Sequence, residues 1–211
     1  MGGTSLDANP RKRPRQARSR ATVEAIVTAA AQVLIEQGYE GATTARVAER
    51  AGVSIGSLYQ YFPNKEALIA ALIERHAGEI IAIMRRALDD PASGTLERGL
   101  RAMIEAGAAA HRLDPALHKI LHEQVPRVGR LAKAMDTSRQ IADALERFLR
   151  AHSDELHPER DPATAAIVIE TALEALAHKA VVERLDLLAD GLLEKEAFSL
   201  AASYLLRGAI G

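Results

Sequence analysis

The sequence predicts an all-α fold, and three observations lead to this prediction. Apolar residues make up 48% of the 211 residues, whereas aromatic residues make up only 3%. The apolar residues recur at three- and four-residue spacing, which is typical of amphipathic helices, and the alternation expected of strands is scarce. Glycine, proline and polar clusters interrupt this spacing at intervals of helix length. We therefore expect helices packed on helices.

The composition also excludes several classes of protein. The chain has no cysteine, so it contains no disulfide framework, no thiolate metal site and no cysteine nucleophile. It lacks a run of about 18 uncharged apolar residues, which argues against a transmembrane helix and against a membrane partner. The first residues lack the apolar segment of a secretion signal. We expect a cytoplasmic protein.

The predicted helices begin and end at residues that favour those positions. Gly38 suits the left-handed position that ends a helix. Thr43 or Thr44 suits the N-cap of the second helix, Ser54 that of the third and Asn64 that of the fourth. Residues 1–17 are rich in Gly, Pro, Asn and Arg and are predicted to be a disordered basic arm. The predicted helices span about 18–37, 44–51, 55–61, 65–88, 96–111, 115–122, 126–152, 163–188 and 195–206.

Residues 43–68 have the pattern of a helix-turn-helix. Two short helices joined by a tight turn cross steeply, so a small residue is needed at the crossing, and Ala48 supplies it. The turn needs a residue that adopts positive φ at low cost, and Gly52 supplies it. The alternative is a helical hairpin with a purely structural role. Apolar residues fill the wedge between the two helices: Val47, Ala51, Val53 and Leu58.

The second helix of such a motif enters the DNA major groove with its N-terminal residues toward the bases. Tyr59 and Lys65 can contact the flanking phosphates. Leu58 and Phe62 are expected in the core, and Tyr61 fits either location. The face turned toward base edges is predicted to comprise Ile55, Gly56, Ser57, Gln60 and Tyr61.

The charge is distributed unevenly along the chain. Residues 1–65 carry nine Lys and Arg and five Asp and Glu, a net charge of +4, whereas residues 66–211 have a net charge of −5. Six of the basic residues lie between positions 11 and 20. Such a cluster indicates a nucleic-acid contact, and a solvated disordered tail is the alternative.

Residues 20–75 resemble the DNA-binding domain of the TetR family of bacterial regulators. The resemblance is carried by Thr43-Thr44, by the run from Val47 to Ser54, by the run from Gly56 to Phe62, and by Asn64-Lys65. It implies that Thr44, Tyr59 and Lys65 hold phosphates and that Arg46 lies near bases. Ala45 departs from the family where some members place an arginine. The full set of predicted DNA-binding residues is Thr44, Arg46, Ser54, Ile55, Gly56, Ser57, Tyr59, Gln60, Tyr61 and Lys65.

The resemblance also implies a homodimer that binds an inverted-repeat operator in double-stranded DNA, and a C-terminal pocket for a small-molecule effector. We expect a helix-turn-helix domain at 18–66 and a ligand-binding and dimerisation domain at 67–211. The helices at 163–188 and 195–206 are the candidates for the dimer interface, and closure of the monomer core is the alternative. Their apolar faces comprise Ile167, Val168, Ala172, Leu176, Val181, Leu185, Phe198, Ala202 and Leu205. The candidate pocket residues are Met84, Met103, His111, Leu121, Gln124 and His178.

The expected function is that of a transcriptional repressor released from its operator by a small molecule. An activator or a co-repressor-dependent regulator is the alternative within DNA binding. A metal-binding sensor is the alternative from another class, because His118 and His122 are four residues apart on a predicted helix. Lys119 stands where a zinc hydrolase motif needs glutamate, and no phosphate-binding loop or nucleophile motif is present. We therefore predict no cofactor, no catalytic residues and no enzyme activity.

Overall fold

The computed structural model describes residues 17–90, 94–125 and 127–207, so nearly all of the predicted arm at 1–17 lies outside the described residues. The all-α prediction is confirmed: within these ranges the chain forms α-helices, one 3-10 turn and a single isolated bridge between Leu156 and Leu206. No described helix has the length and apolar character needed to cross a membrane. The helices are α1 (Ala17–Gly41), α2 (Thr44–Arg50), α3 (Ile55–Tyr61), α4 (Lys65–Asp89), α5 (Leu96–Leu113), α6 (Pro115–Glu123), α7 (Arg127–Ala151), α8 (Pro162–Val182) and α9 (Leu192–Leu205).

Two compact units make up the chain, and the first comprises Met1–His76 with Ala116–Lys133. Its core joins α1, α2, α3 and the first part of α4. Gly38, with φ of 69°, interrupts α1 where the sequence predicts its end. The buried residues of this core include Ile26, Leu34, Val47, Ala48, Leu58, Phe62, Leu68 and Leu72.

Helix α6 belongs to this first unit, although the sequence prediction assigned all residues beyond 66 to one C-terminal domain. Leu117, Leu121 and Val125 are buried in the same core as α1 and α4. The physical reason is that one apolar stripe of α6 is covered by the helix-turn-helix unit. Residues 67–76 join the same unit because Leu68 and Leu72 lie on the inner face of α4.

The second unit comprises Ala77–Pro115 and Ala134–Gly211. Here α5 packs against α9, and α8 packs against both. Gly99 lets α5 approach the ring of Phe148, since a Cβ atom at Gly99 would stand 2.0 Å from Phe148 Cζ. Buried side chains of this unit include Leu96, Leu100, Met103, Leu145, Leu149, Ile169, Ala201 and Leu205.

Helix α8 ends at Val182, which corrects the predicted end at 188. A 3-10 turn, Leu185–Leu188, follows it. Asp190 and Gly191 then both adopt left-handed backbone, with φ of 54° and 70°, so the chain reverses before α9 begins at Leu192. Two residues predicted for the dimer interface, Val181 and Leu205, are buried inside the unit and cannot contribute to an outer face.

Candidate functional site

The helix-turn-helix is fixed by side-chain caps and by one glycine. Thr43 Oγ1 accepts the amide N–H of Arg46 at 3.4 Å, and Ser54 Oγ accepts that of Ser57 at 3.1 Å. Gly52 has φ of 66° in the turn between the helices. Both caps satisfy amide groups that the first turn of a helix leaves without a partner. Thr43, not Thr44, is therefore the N-cap of α2, which leaves the Thr44 hydroxyl for another role.

Helix α3 turns one face to solvent and buries the other. Ile55 and Tyr59 are each 42% exposed, a high value for large apolar side chains. Gly56 and Gln60 are exposed beside them. Tyr61 is half-buried and packs against the core of the first unit, so it lies at the edge of this face. The structure thus brings most of the predicted base-reading residues together on one outer surface.

Ser54 and Ser57 share a hydrogen bond between their hydroxyl groups, with oxygen atoms 2.8 Å apart. Ser57 is half-buried. Its hydroxyl is held at the N-terminal end of α3 and, since a hydroxyl both donates and accepts, it keeps capacity for one more partner. The pair holds a small polar group where a recognition helix meets the bases.

Two hydroxyl groups meet at the flank of this face. Thr44 Oγ1 and Tyr59 Oη are 3.1 Å apart, and they join the start of α2 to the middle of α3. Each hydroxyl can donate a hydrogen bond to a phosphate oxygen. The structure therefore brings together two residues for which the family resemblance implies phosphate contacts.

The two predicted cations of the site have partners inside the protein. Lys65 Nζ donates to the backbone carbonyl of Tyr39, and it lies 3.8 Å from the centroid of the Tyr39 ring. Arg46 Nη1 donates to the carbonyl of Gly41 at 3.0 Å. These contacts orient both side chains, and an ammonium with three N–H donors keeps two beyond the one used at Tyr39. The start of α4 is capped by Asn64, whose Oδ1 accepts the Ala67 amide at 2.7 Å.

Two predicted pocket residues lie instead in the first unit. Leu121 is buried in its core. Gln124 Oε1 accepts the amide N–H of Tyr39 at 2.9 Å, directly after the kink at Gly38. Both residues support the helix-turn-helix unit because α6 packs there, and neither lines the cavity described below.

The described histidine side chain of α6, that of His118, lies beside another histidine and belongs to no group that could hold a metal ion. His118 is buried, and its Nδ1 lies 3.4 Å from His76 Nε2 of α4. The side chain of His122 lies outside the described residues. Among described residues, no group of three or more His, Cys, Asp or Glu side chains could hold a metal ion. His76 and His118 therefore form a pair of neighbouring imidazole rings within the first unit.

A narrow, largely apolar cavity of about 50 Å³ lies within the second unit. Three predicted pocket residues, Met84, Met103 and His111, line it, whereas His178 does not. His178 follows Ala177, which does line the cavity, and successive helical residues point in directions 100° apart. The remaining lining residues are Ile104, Gly107, Ala108, Ile141, Leu145, Glu170, Leu173, Glu174, Ala177, Leu193 and Ala197.

Glu170 is one of the lining residues that the sequence prediction missed. Its side chain is buried, at 6% exposure, and its Oε2 accepts a hydrogen bond from Ser138 Oγ at 2.7 Å. Burial raises the pKa of the Glu170 carboxyl, and the charge of Glu174 raises it further. The available signal was a pair of acids four residues apart in an otherwise apolar helix, which places both on one helix face.

Two stretches of the chain match family profiles. Residues 26–72 match the family described as "Bacterial regulatory proteins, tetR family". Residues 95–205 match "Tetracyclin repressor-like, C-terminal domain". The first match covers the helix-turn-helix, and the second covers helices α5 to α9.

Individual proteins show the same similarity. The transcriptional activator FasR of Mycolicibacterium smegmatis is 36% identical over 81 residues, which are 38% of this chain and 36% of FasR, so the chain spans only about a third of that relative. The transcriptional repressor KstR of Rhodococcus jostii is 28% identical over 179 residues, 83% of this chain and 77% of KstR. The fold is shared with SmeT, the repressor of the Stenotrophomonas maltophilia multidrug efflux pump SmeDEF, at a TM-score of 0.71 and 24% identity, over 92% of this chain and 95% of SmeT. Because the family profiles span more than half of the chain, it belongs to the TetR family of bacterial regulatory proteins.

Proposed function

We propose that this TetR-family regulator is a homodimeric repressor that binds an inverted-repeat operator through α3 and leaves it when a small molecule occupies the cavity of the second unit. The observation that carries the proposal is the outer face of α3, where exposed Ile55, Gly56, Tyr59 and Gln60 lie beside the Ser54–Ser57 pair. Large apolar side chains exposed on a short helix are costly in water and favour a partner surface.

Phosphate contacts position the protein on the duplex, and base contacts select the sequence. We assign the first role to Thr44, Tyr59 and Lys65. We also assign Arg46 to the phosphate backbone of the DNA, because its guanidinium is held in place by the hydrogen bond to the Gly41 carbonyl. Base contacts are assigned to Ile55, Gly56, Ser57 and Gln60. Since Ile55 and Gly56 offer few hydrogen bonds, contact with thymine methyl groups and DNA shape supply part of the specificity.

Dimerisation is proposed through the outer faces of α8 and α9. Ile167 and Val168 on α8 and Leu200 on α9 are exposed large apolar residues, with Ile167 at 60% exposure. A two-fold symmetric dimer presents two reading helices and therefore recognises two half-sites in inverted orientation. An alanine at position 172 allows close approach of the two backbones on this face.

Release is proposed to occur by a population shift. The effector binds more tightly to a form of the dimer in which the spacing of the two α3 helices does not fit the operator. Binding of the effector therefore lowers the affinity for DNA, and binding of DNA lowers the affinity for the effector. Helix α4 carries residues of both units, since it runs from Lys65 to Asp89 across the division after His76. A change in its tilt is the proposed link between the effector and the DNA.

The sign of regulation is proposed from the repressors KstR and SmeT, while the activator FasR supports the alternative. Selection of bound sequences from random duplex DNA by the purified protein tests the function. We expect an enriched inverted repeat, and that repeat placed across a promoter should lower transcription. Absence of any enriched sequence would refute sequence-specific reading, and raised transcription would identify an activator.

A further inference from the structure

The polar atoms of the cavity in the second unit are mostly acceptors of hydrogen bonds. Of its lining residues only His111, Glu170 and Glu174 are ionisable, and no Lys or Arg is among them within the described part of the chain. The rest of the lining is aliphatic or thioether. Among the described residues the cavity therefore combines an apolar wall with two carboxyl groups and has no Lys or Arg beside them.

Glu170 is the central polar group of this wall. It is buried, and its hydrogen-bond partner from α7 is the neutral hydroxyl of Ser138. In the described residues no Lys or Arg forms an ion pair with Glu170. A buried carboxylate is costly without a positive partner, and burial together with the charge of Glu174 raises the pKa of Glu170. A positive charge placed in the cavity would offset the cost of burying this carboxylate.

His111 adds an imidazole ring to the lining of the cavity. Its Nδ1 lies 2.8 Å from the backbone carbonyl of Gly107, and because a carbonyl only accepts, Nδ1 carries the proton. Glu174, one helical turn from Glu170 on α8, is exposed and also lines the cavity, so it stands where the cavity meets solvent.

From these groups we infer that the effector is a lipophilic cation, an amine or a quaternary ammonium, whose apolar body lies against Met84 and Met103 and whose positive charge lies at Glu170 and Glu174. This inference rests on the proposed function, since it names the chemical class of the small molecule for the same cavity. An anionic effector would meet two carboxyl groups and, among the described lining residues, no Lys or Arg to hold it. A neutral effector would gain no charge interaction with Glu170 or Glu174.

The cavity is small, and its methionines make it adaptable. Met84 Sδ lies 3.2 Å from the position that a Cβ atom of Gly107 would occupy, so the Met84 side chain fills the space beside this glycine. Methionine has several low-cost rotamers and a polarizable sulfur. We propose that an alkyl chain enters when the Met84 side chain rotates away from Gly107.

Three probes of the same chain length test the inference: octyltrimethylammonium, 1-octanol and octanoate. Each is titrated into the full-length protein by calorimetry at neutral pH and fixed ionic strength. We expect the cation to bind at least tenfold more tightly than octanol, and octanoate to bind most weakly. Glu170→Gln, which preserves the shape and a polar group for Ser138, should weaken binding of the cation at least tenfold and change octanol binding less than twofold. Glu183→Gln, at the C-cap of α8, is the control, because Glu183 pairs with Lys179 and does not line the cavity.

The outcomes separate the chemical class from the function. Octanol or octanoate binding as tightly as the cation would overturn the inference and leave the cavity as an effector site. Equal loss of cation binding in Glu170→Gln and Glu183→Gln would also overturn it. Failure of all three probes to bind, with DNA binding intact, would overturn both the inference and the effector part of the proposed function.

Discussion

Replacement of Lys65 by methionine separates the structural role of this residue from its role on DNA. The change retains the apolar stem and removes the ammonium that donates to the Tyr39 carbonyl and lies over the Tyr39 ring. A hydrogen bond to a charged group contributes about 1.5–3 kcal/mol, and an exposed cation–π contact about 0.5–1 kcal/mol. Because Lys65 is half-buried, we expect the free energy of unfolding to fall by about 2 kcal/mol in Lys65→Met.

The effect on DNA binding is worked from counterion release. Each lost phosphate contact makes the slope of log Kobs against log[salt] less negative by about 0.9, so a dimer with two Lys65 residues loses about 1.8. Over the fourfold range from about 50 to about 200 mM salt this difference amounts to about tenfold in affinity. The affinity deficit of Lys65→Met should therefore shrink about tenfold across that range.

Fluorescence anisotropy of labelled operator duplex, measured at several salt concentrations, gives the slope for each variant. Urea unfolding run beside it gives the stability and verifies that the variant is folded under the binding conditions. Lys119→Met is the matched control, because Lys119 is an exposed lysine of the same unit outside the predicted DNA-binding set. An unchanged slope in Lys65→Met, together with the loss of stability, would show that Lys65 only supports Tyr39 and would refute its phosphate contact.

Three further predictions concern the reading face, the core and the cavity. Ser57→Ala should change the preference between bases at one position of each half-site by about 1–3 kcal/mol in competition binding, whereas equal weakening on all sequences would exclude a base contact. Gly99→Ala should lower the free energy of unfolding by about 1–3 kcal/mol in urea because its Cβ overlaps the Phe148 ring. Gly78→Ala on α4, whose Cβ meets nothing within 4 Å, should instead raise it by up to about 1 kcal/mol, and the same sign for both would contradict this reasoning. Burial raises the pKa of Glu170 above its ordinary value of 4.5, so the folded state retains a proton that the unfolded state has already released. The free energy of unfolding should therefore fall as pH rises from 4.5 through the raised pKa of the folded state. Glu170→Gln should lack this fall, and parallel curves of stability against pH for the two proteins would contradict the reasoning.

The helix-turn-helix could be predicted from the sequence because its determinants are local. A cap at Thr43, another at Ser54 and positive φ at Gly52 each depend on residues within a few positions. The burial of Leu58 and Phe62 also follows from local helical spacing. The same motif carried the resemblance to the TetR family, which the family profiles confirm.

The assignment of α6 could not be predicted because it depends on contacts distant in sequence. The periodicity of Leu117 and Leu121 shows that this helix has an apolar face, and it does not show which unit covers that face. The contact of Gln124 with Tyr39 joins residues 85 positions apart. Two residues predicted for the pocket, Leu121 and Gln124, therefore lie in the helix-turn-helix unit.

The second unit shows the same division between local and distant determinants. The end of α8 was misplaced because Leu185, Leu187 and Leu188 continue the apolar character of the helix, while the reversal at Asp190 and Gly191 is set by the backbone. Glu170 was missed because its neighbours on α8 suggested an interface helix. Only the fold shows that this acid faces the cavity with Met84 and Met103.

The affinity of the protein for its selected operator and for a scrambled duplex of the same length and composition, measured at one salt concentration, tests the central claim most directly. Sequence reading by α3 predicts that the operator binds at least about 10³-fold more tightly than the scrambled duplex. Equal affinity for the two duplexes would contradict the claim that the exposed face of α3 reads bases.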